Sequence, residues 1–143
     1  MILISHRGNV RGPNIEKENS PDYITKAMAK YNVEIDVWLI DKQFLLGHDK
    51  PTYPINSSFL QNSKLWCHAK NLDALTEMLA MDNVHCFWHQ DDDVTLTSQN
   101  YIWTYPGKHI CNNMAIAVIP ERVNFTWDIS DAIGVCSDFI ERY

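Results

Sequence analysis

The chain has 143 residues, 45% of them hydrophobic, which is the size and composition of one globular domain and excludes a disordered chain. Its net charge of −6 and the lack of any lysine or arginine run argue against a nucleic-acid-binding face. The apolar stretch Met1–Ile4 is too short for a signal peptide or a membrane span, so we expect a cytoplasmic protein with a single domain over 1–143.

Short apolar runs alternate with polar, turn-rich segments along the chain. The first predicted helix runs over Pro21–Tyr31, with Ser20 as its N-cap, and the second runs over Leu72–Met81, with Asn71 or Asp73 as its cap. The predicted strands are Ile2–His6, Val33–Leu39, Phe44–Gly47, Lys64–Lys70, Val84–Gln90, Tyr101–Tyr105, Ala115–Ile119 and Ile133–Cys136. This alternation predicts an α/β fold with parallel strands. A regular (β/α)8 barrel takes about 200 to 250 residues, so a barrel here is a trimmed one.

Polar residues stand at or near the carboxyl ends of several predicted strands, which is where the sites of α/β barrels assemble. In the second strand, side-chain alternation places Glu34 and Asp36 on one face, toward the interior. Two buried like charges are costly without a cation between them, and carboxylates suit Mg²⁺ or Ca²⁺. The alternative is that this strand is a sheet edge with a solvated face.

Basic residues surround this carboxylate pair in the sequence. His6 and His48 form a candidate acid/base pair near neutral pH, and Arg7 supplies a fork that fits phosphate. His68 and Lys70 share one face of the third long strand. Lys70 has two interpretations, an ion pair with the carboxylates or a contact to a phosphate oxygen.

Other residues give weaker signals. His89 and Tyr105 are possible substrate contacts, with packing as the alternative. The cysteines at 67, 86, 111 and 136 do not form a C-x-x-C pair, and we interpret them as small buried hydrophobic residues rather than disulfides or zinc ligands.

Five short motifs resemble, in type and order, those of the glycerophosphodiester phosphodiesterase family. They are His6-Arg7-Gly8, Glu18-Asn19-Ser20, Glu34-Ile35-Asp36-Val37, Gly47-His48-Asp49 and Gly134-Val135-Cys136-Ser137-Asp138. The resemblance implies a TIM-type (β/α) barrel, here trimmed, with several helices missing in the second half. It further implies metal ligation by Glu34 and Asp36, acid/base catalysis by His6 and His48, and phosphate contacts from Arg7 and Lys70.

One position departs from the family pattern. His68 stands where the family has a third carboxylate ligand, and an imidazole ligand makes Mn²⁺ or Zn²⁺ more plausible beside Mg²⁺ or Ca²⁺. The other interpretation is that His68 does not bind metal. Glu18 lies near the metal in relatives and is a further candidate ligand.

The expected function is therefore metal-dependent hydrolysis of a phosphodiester, with a glycerophosphodiester-like small molecule or a lipid head group as substrate. Two alternatives remain open at this stage. One is a non-catalytic module that binds a phosphate ligand or a partner protein, and the other is a lyase similar to the phospholipase D toxins.

Overall fold

The computed structural model describes residues 1–110 and 113–143, so the prediction for Cys111 lies outside the described residues. A ten-stranded sheet dominates the fold. Its strands are β1 (Ile2–His6), β2 (Asn32–Ile40), β3 (Gln43–Leu46), β4 (Tyr53–Ile55), β5 (Leu65–Ala69), β6 (Cys86–Phe87), β7 (Val94–Leu96), β8 (Ile102–Thr104), β9 (Ala115–Val118) and β10 (Gly134–Ser137).

The helices are few and short. They are α1 (Pro21–Met28), α2 (Ser57–Leu60) and α3 (Leu72–Ala80), with 3₁₀ turns at Pro120–Val123 and Ile140–Arg142. Ser20 occupies the N-cap of α1 without a side-chain hydrogen bond, and Pro21 opens the helix. Asn71 caps α3, because its side chain accepts a hydrogen bond from the Ala74 N–H. No described helix has the length and apolar character needed to cross a bilayer.

The strands pair mostly in parallel around β1. One path runs β4-β3-β2-β1-β10-β9-β8-β7, while β5 pairs with β2 and β6 pairs with β5. β1 pairs in parallel with both β2 and β10, and β9 pairs in parallel with both β8 and β10. The pairs β2-β5 and β5-β6 are also parallel. The hairpins β2-β3, β3-β4 and β7-β8 are antiparallel. The sheet curls into a half-barrel of mixed strands.

The prediction of a trimmed TIM-type barrel is wrong. Strands and helices alternate only as far as α3, and β4 and β7, which the sequence did not predict, add antiparallel pairs. The reason lies in the second half, where the strands are short and β7 pairs antiparallel with β8. The connection 119–133 is long enough for a helical crossover but forms a 3₁₀ turn at Pro120–Val123 instead of a packed helix.

Alternation along β2 separates two cores. Val33, Ile35 and Val37 face the helices, in an outer cluster that also contains Ile24 of α1 and Met78 of α3. The inner cluster fills the curl of the sheet with Ile4, Trp66, Phe87, Trp103, Ile116, Val118, Ile119 and Cys136. The intervening side chains of β2 therefore point into the curl, above an apolar floor.

Three of the cysteines lie in the buried core, as the sequence predicts. Cys67, Cys86 and Cys136 are free and buried. Burial raises the pKa of each of the three thiols, so they remain neutral at physiological pH. This agrees with their interpretation as small hydrophobic residues.

We expect His85 to make the fold sensitive to acid. Its ring packs on Trp66 and lies 2.8 Å from the Thr97 hydroxyl, and burial lowers its pKa to about 4. Because the unfolded chain takes up this proton near pH 6.5, the stability contributed by neutral His85 is complete above that pH and is lost as the pH falls. Between pH 7 and pH 4.5 the free energy of unfolding should fall about 2 kcal/mol more in the wild type than in His85→Asn.

Urea unfolding at several pH values measures this difference. The change in the free energy of unfolding with pH is compared between wild type and variant, because their absolute stabilities also differ for other reasons. His109→Asn, which removes an exposed imidazole, is the matched control and should keep the wild-type pH dependence. The same acid sensitivity in His85→Asn and in wild type would contradict the prediction.

Candidate active site

The parallel register brings the candidate residues together. The pairing of β1 with β2 places His6 opposite Glu34, and the pairing of β2 with β5 places Asp36 opposite His68. Because neighbouring strands lie about 4.8 Å apart, these four side chains converge on one side of the sheet. Lys70 follows β5 directly and reaches the same place, with its Nζ 3.6 Å from Asp36 Oδ1.

The two carboxylates are buried at the centre of this group. Glu34 is 2% exposed and Asp36 is fully buried, so the alternative of a solvated sheet edge is wrong. Ligand atoms of Glu34, Asp36 and His68 lie within 4.8 Å of one another. Glu34 Oε2 and Asp36 Oδ1 have no hydrogen-bond partner among the described residues. Such atoms are costly inside a protein unless a cation or a donor meets them.

The turn after β1 holds Asp36 from the other side. Arg7 has a left-handed backbone with φ of 54°, and its N–H donates to the Glu34 carbonyl at 2.9 Å. This strained position brings the Arg7 Nε to 2.9 Å from Asp36 Oδ2. Asn19, also left-handed, donates its amide N–H to Asp36 Oδ2 and accepts from the Asp36 backbone N–H, both at 2.9 Å.

The surroundings move the pKa values of the two carboxyls in opposite directions. Burial acts to raise the pKa of Asp36, but contact with His68 and the Arg7 charge outweigh it and hold that pKa well below its usual range. Burial raises the pKa of Glu34, and the charge of Asp36 adds to the rise. Glu34 is thus the carboxylate whose charge is poorly balanced by the protein.

The ring of His68 has a fixed orientation. Its Nε2 lies 2.9 Å from the His89 carbonyl, so this nitrogen carries a proton and donates it. Its Nδ1 then faces Asp36 Oδ1 at 3.2 Å and Glu34 Oε1 at 3.8 Å. In neutral His68 this nitrogen has a lone pair directed at carboxylate oxygens, an arrangement that a cation between them would stabilise.

His6 lies between two acidic groups. Its Nδ1 is 2.7 Å from Asp138 Oδ1, and its Nε2 is 3.8 Å from Glu34 Oε2. Burial acts to lower the pKa of His6, but the hydrogen bond to Asp138 and the Glu34 charge outweigh it, so the pKa is raised. Asn9 secures Asp138 through a 2.7 Å hydrogen bond from its amide.

His48 approaches from the loop after β3 and is more exposed than His6. Its Nδ1 lies 2.6 Å from Asp49 Oδ1. Burial and the positive charges of Arg7 and Lys70 lower the pKa of His48, an effect that Asp36 and Asp49 only partly offset. The two candidate catalytic imidazoles therefore have pKa values shifted in opposite directions, which suits one to donate and the other to accept a proton.

The structure places Glu18 beside the carboxylate pair rather than in it. Its carboxylate accepts from Arg7 Nη1 at 3.2 Å and from Asn9 Nδ2 at 2.8 Å. Glu18 is not part of the group formed by Glu34, Asp36 and His68, and it orients the Arg7 guanidinium.

His89 and Tyr105 lie together on the far side of the site. Their rings stack at a centroid distance of 4.7 Å. Both line a cavity of about 240 Å³ together with His6, Arg7, Glu34, His48, His68, Lys70, Gln90, Trp103, Val118, Ile119 and Arg122. A larger cleft of about 530 Å³ lies between α1 and the segment 8–14, and none of the predicted site residues lines it.

Several residues that shape the site have no role predicted from the sequence. Asn19 and Asp138 occur there only as members of motifs, and Asn9 and Arg122 do not occur in any motif. In the structure Asn19 donates a hydrogen bond to Asp36, Asp138 is hydrogen-bonded to His6, and the Asn9 amide donates to both Asp138 and Glu18. For Asp138 the sequence offers one signal, its place just after the last predicted strand, where site residues of α/β folds assemble.

Comparisons of the chain with protein-family models, with curated proteins and with solved structures find no match.

The residues present fit a divalent cation. Two carboxylate oxygens lack hydrogen bonds, and a ring nitrogen of His68 lies 3.2 Å from one of them, Asp36 Oδ1. Neighbouring groups orient His68 and Asp36. Oxygen donors with one imidazole suit Mg²⁺ or Ca²⁺, and also Mn²⁺ or Zn²⁺.

Glu34→Gln should distinguish two effects of the buried Glu34 charge, which are a loss of folding stability without metal and a contribution to metal binding. Because the pKa of Glu34 is raised in the folded state, its ionised form lowers stability above the unfolded pKa, and the loss grows as the pH rises toward the folded pKa. Without metal at pH 7.5, Glu34→Gln should be about 1 to 2 kcal/mol more stable than wild type.

Addition of Mn²⁺ or Mg²⁺ should reverse this order. An ion present at about 100 times its dissociation constant stabilises the wild type by about 2.7 kcal/mol, and Glu34→Gln should gain little of this. Thermal unfolding with and without metal measures both effects. Glu77→Gln removes an exposed carboxylate and serves as the control. An equal metal-dependent gain in Glu34→Gln and wild type would count against the site.

Asp138→Asn should lower the pKa of His6. The hydrogen bond to the Asp138 carboxylate is the largest influence that raises this pKa, and an amide oxygen stabilises an imidazolium far less. Titration of the ring resonances by NMR without metal measures the change. Asp82→Asn, at an exposed position, should leave the pKa of His6 unchanged. A constant value in both variants would show that Asp138 does not control His6.

Proposed function

We propose that this protein is a metal-dependent hydrolase of small phosphodiesters, such as a glycerophosphodiester or a lipid head group. The observation that carries the proposal is the pair of buried carboxylates, Glu34 and Asp36, each with one oxygen that lacks a hydrogen bond, beside a cavity lined by four histidines that include His6 and His48. The order of motifs that resembles the glycerophosphodiester phosphodiesterases supports it independently of the geometry.

Glu34, Asp36 and His68 would hold the metal ion, whose bound form neutralises phosphate charge and polarises a phosphoryl oxygen. Arg7 and Lys70 bind the phosphate in this proposal. Both of them contact Asp36 in the structure, at 2.9 Å and 3.6 Å. Once another cation balances Asp36, these side chains are available to a phosphate at the same place.

His6 and His48 move the protons. Both line the cavity, so one imidazole can take a proton from the attacking hydroxyl while the other gives one to the leaving oxygen. Asp138 and Asp49 orient them through contacts to Nδ1, at 2.7 Å and 2.6 Å, which leaves Nε2 of each ring for the reaction.

The cavity limits the substrate. Its volume of about 240 Å³ lies below the 300 to 1,000 Å³ of sites that enclose a drug-sized ligand. The site therefore accepts a phosphate with a small alcohol group, and a longer chain would extend into solvent.

One observation favours a second function, that of a non-catalytic phosphate-binding module. Arg7, Lys70 and His68 already place positive charge or a ring nitrogen around Asp36. This set balances one carboxylate without metal, and a phosphate bound by Arg7 and Lys70 needs no turnover. Glu34 argues against this function, since its charge stays poorly balanced.

Hydrolysis assays with divalent ions test the proposal. The purified protein should cleave bis(p-nitrophenyl) phosphate or glycerophosphodiesters when Mg²⁺ or Mn²⁺ is present and lose activity with a chelator. His48→Ala and His6→Ala should each lower kcat about 10²- to 10⁴-fold, because each removes one proton-transfer group. His109→Ala, outside the cavity, should retain activity.

The products and the metal dependence distinguish the alternatives. Phosphorus NMR separates a hydrolysed monoester from a cyclic phosphate, which a lyase would release as its final product. Phosphate binding without any turnover would favour the non-catalytic module. Activity of His48→Ala equal to that of wild type would contradict the assignment of His48 as a catalytic residue.

A further inference from the structure

Arg122 is a third cation of the cavity, and the proposed function does not use it. It lines the same cavity as Arg7 and Lys70. Those two contact Asp36, whereas the exposed side chain of Arg122 forms no ion pair or hydrogen bond within residues 1–110 and 113–143. Its charge therefore remains available to a ligand.

The backbone that carries Arg122 is held firmly. The 3₁₀ turn Pro120–Val123 is flanked by Ile119 and Asn124, both left-handed, with φ of 46° and 54°. Glu121 fixes the turn to β10, because its carboxylate accepts from the Ser137 hydroxyl at 3.0 Å and from the Asp138 N–H at 2.7 Å. Arg122 is thus placed at the cavity beside the residue that orients His6.

The apolar and aromatic residues that line the cavity are Trp103, Tyr105, Val118 and Ile119, and Ile119 directly precedes the turn that carries Arg122. The acidic residue among the lining residues, Glu34, belongs to the candidate metal group. On the proposed function, Arg7 and Lys70 hold the phosphate, which leaves Arg122 to meet the alcohol part of the substrate.

We infer that Arg122 selects the alcohol group of the phosphodiester by charge. It favours alcohols that carry a carboxylate or a second phosphate and disfavours quaternary ammonium groups such as choline. This inference rests on the proposed function for the place of the phosphate, and it names the substrate class of the same site. Electrostatic attraction to the guanidinium and repulsion of a cation are the physical basis.

A matched pair of ligands tests the inference by binding. Glycerol 3-phosphate and 3-phosphoglycerate have the same phosphate and differ in a hydroxymethyl or carboxylate group. In calorimetric titrations with Mg²⁺, the wild type should bind 3-phosphoglycerate about two- to fivefold more tightly, as expected for a partly exposed ion pair. Arg122→Gln should abolish the preference, and Arg122→Glu should reverse it. Arg11→Gln, which makes the same charge change outside the cavity, should keep it.

The outcomes separate the inference from the proposed function. An equal loss of affinity for both ligands in Arg122→Gln would show that Arg122 binds the phosphate itself, and it would overturn the inference. An unchanged preference in Arg122→Gln would also overturn it, as would the failure of wild type to bind either ligand. In activity assays, wild type should prefer glycerophosphoglycerol over glycerophosphocholine, and Arg122→Gln should lose this preference. Turnover without charge preference would overturn the inference alone, while a binding preference without turnover would overturn the proposed hydrolysis alone.

Discussion

Two carboxylates buried side by side on one strand are the constraint on which the site depends. Strand alternation places Glu34 and Asp36 on the inner face of β2, where the side chains of the paired strands and of the turn after β1 cover them. The surrounding groups act mainly on Asp36, which Arg7 and Asn19 contact directly. Glu34 keeps an oxygen without a partner. The protein therefore balances the charge of Asp36 and leaves that of Glu34 poorly balanced, and this is the charge that the proposed metal ion would neutralise.

Much of the first half of the fold was predictable, because long strands and helices have clear patterns. Both main helices and the strands of the parallel core are present where alternation and capping residues predicted them. The barrel prediction failed because the second half forms short strands of mixed pairing and 3₁₀ turns instead of repeated strand–helix units. β4 and β7 escaped prediction because three-residue strands have no measurable period, and their pairing with β3 and β8 is decided by tertiary contacts.

The sequence predicts that two site residues lie together when they belong to the same strand. It does not do so when the two residues are far apart in the chain. Alternation alone indicated that Glu34 and Asp36 share a face. No local pattern indicates that Asp138 contacts His6, because 132 residues separate them and only the pairing of β1 with β10 brings them together. Arg122 was missed for a related reason, since its place depends on how Glu121 attaches a turn to β10.

The loss of barrel regularity does not disturb the chemistry that we propose. The carboxylates, His6, His68 and Lys70 depend on the parallel strands β1, β2 and β5, together with β10, and these pair in register as a parallel sheet requires. The second half contributes through loops and short strands, and there it adds aromatic rings and Arg122 to the cavity. On the proposed function, the parallel core would fix the groups that react with the phosphate, while the irregular half would determine which alcohol the site accepts.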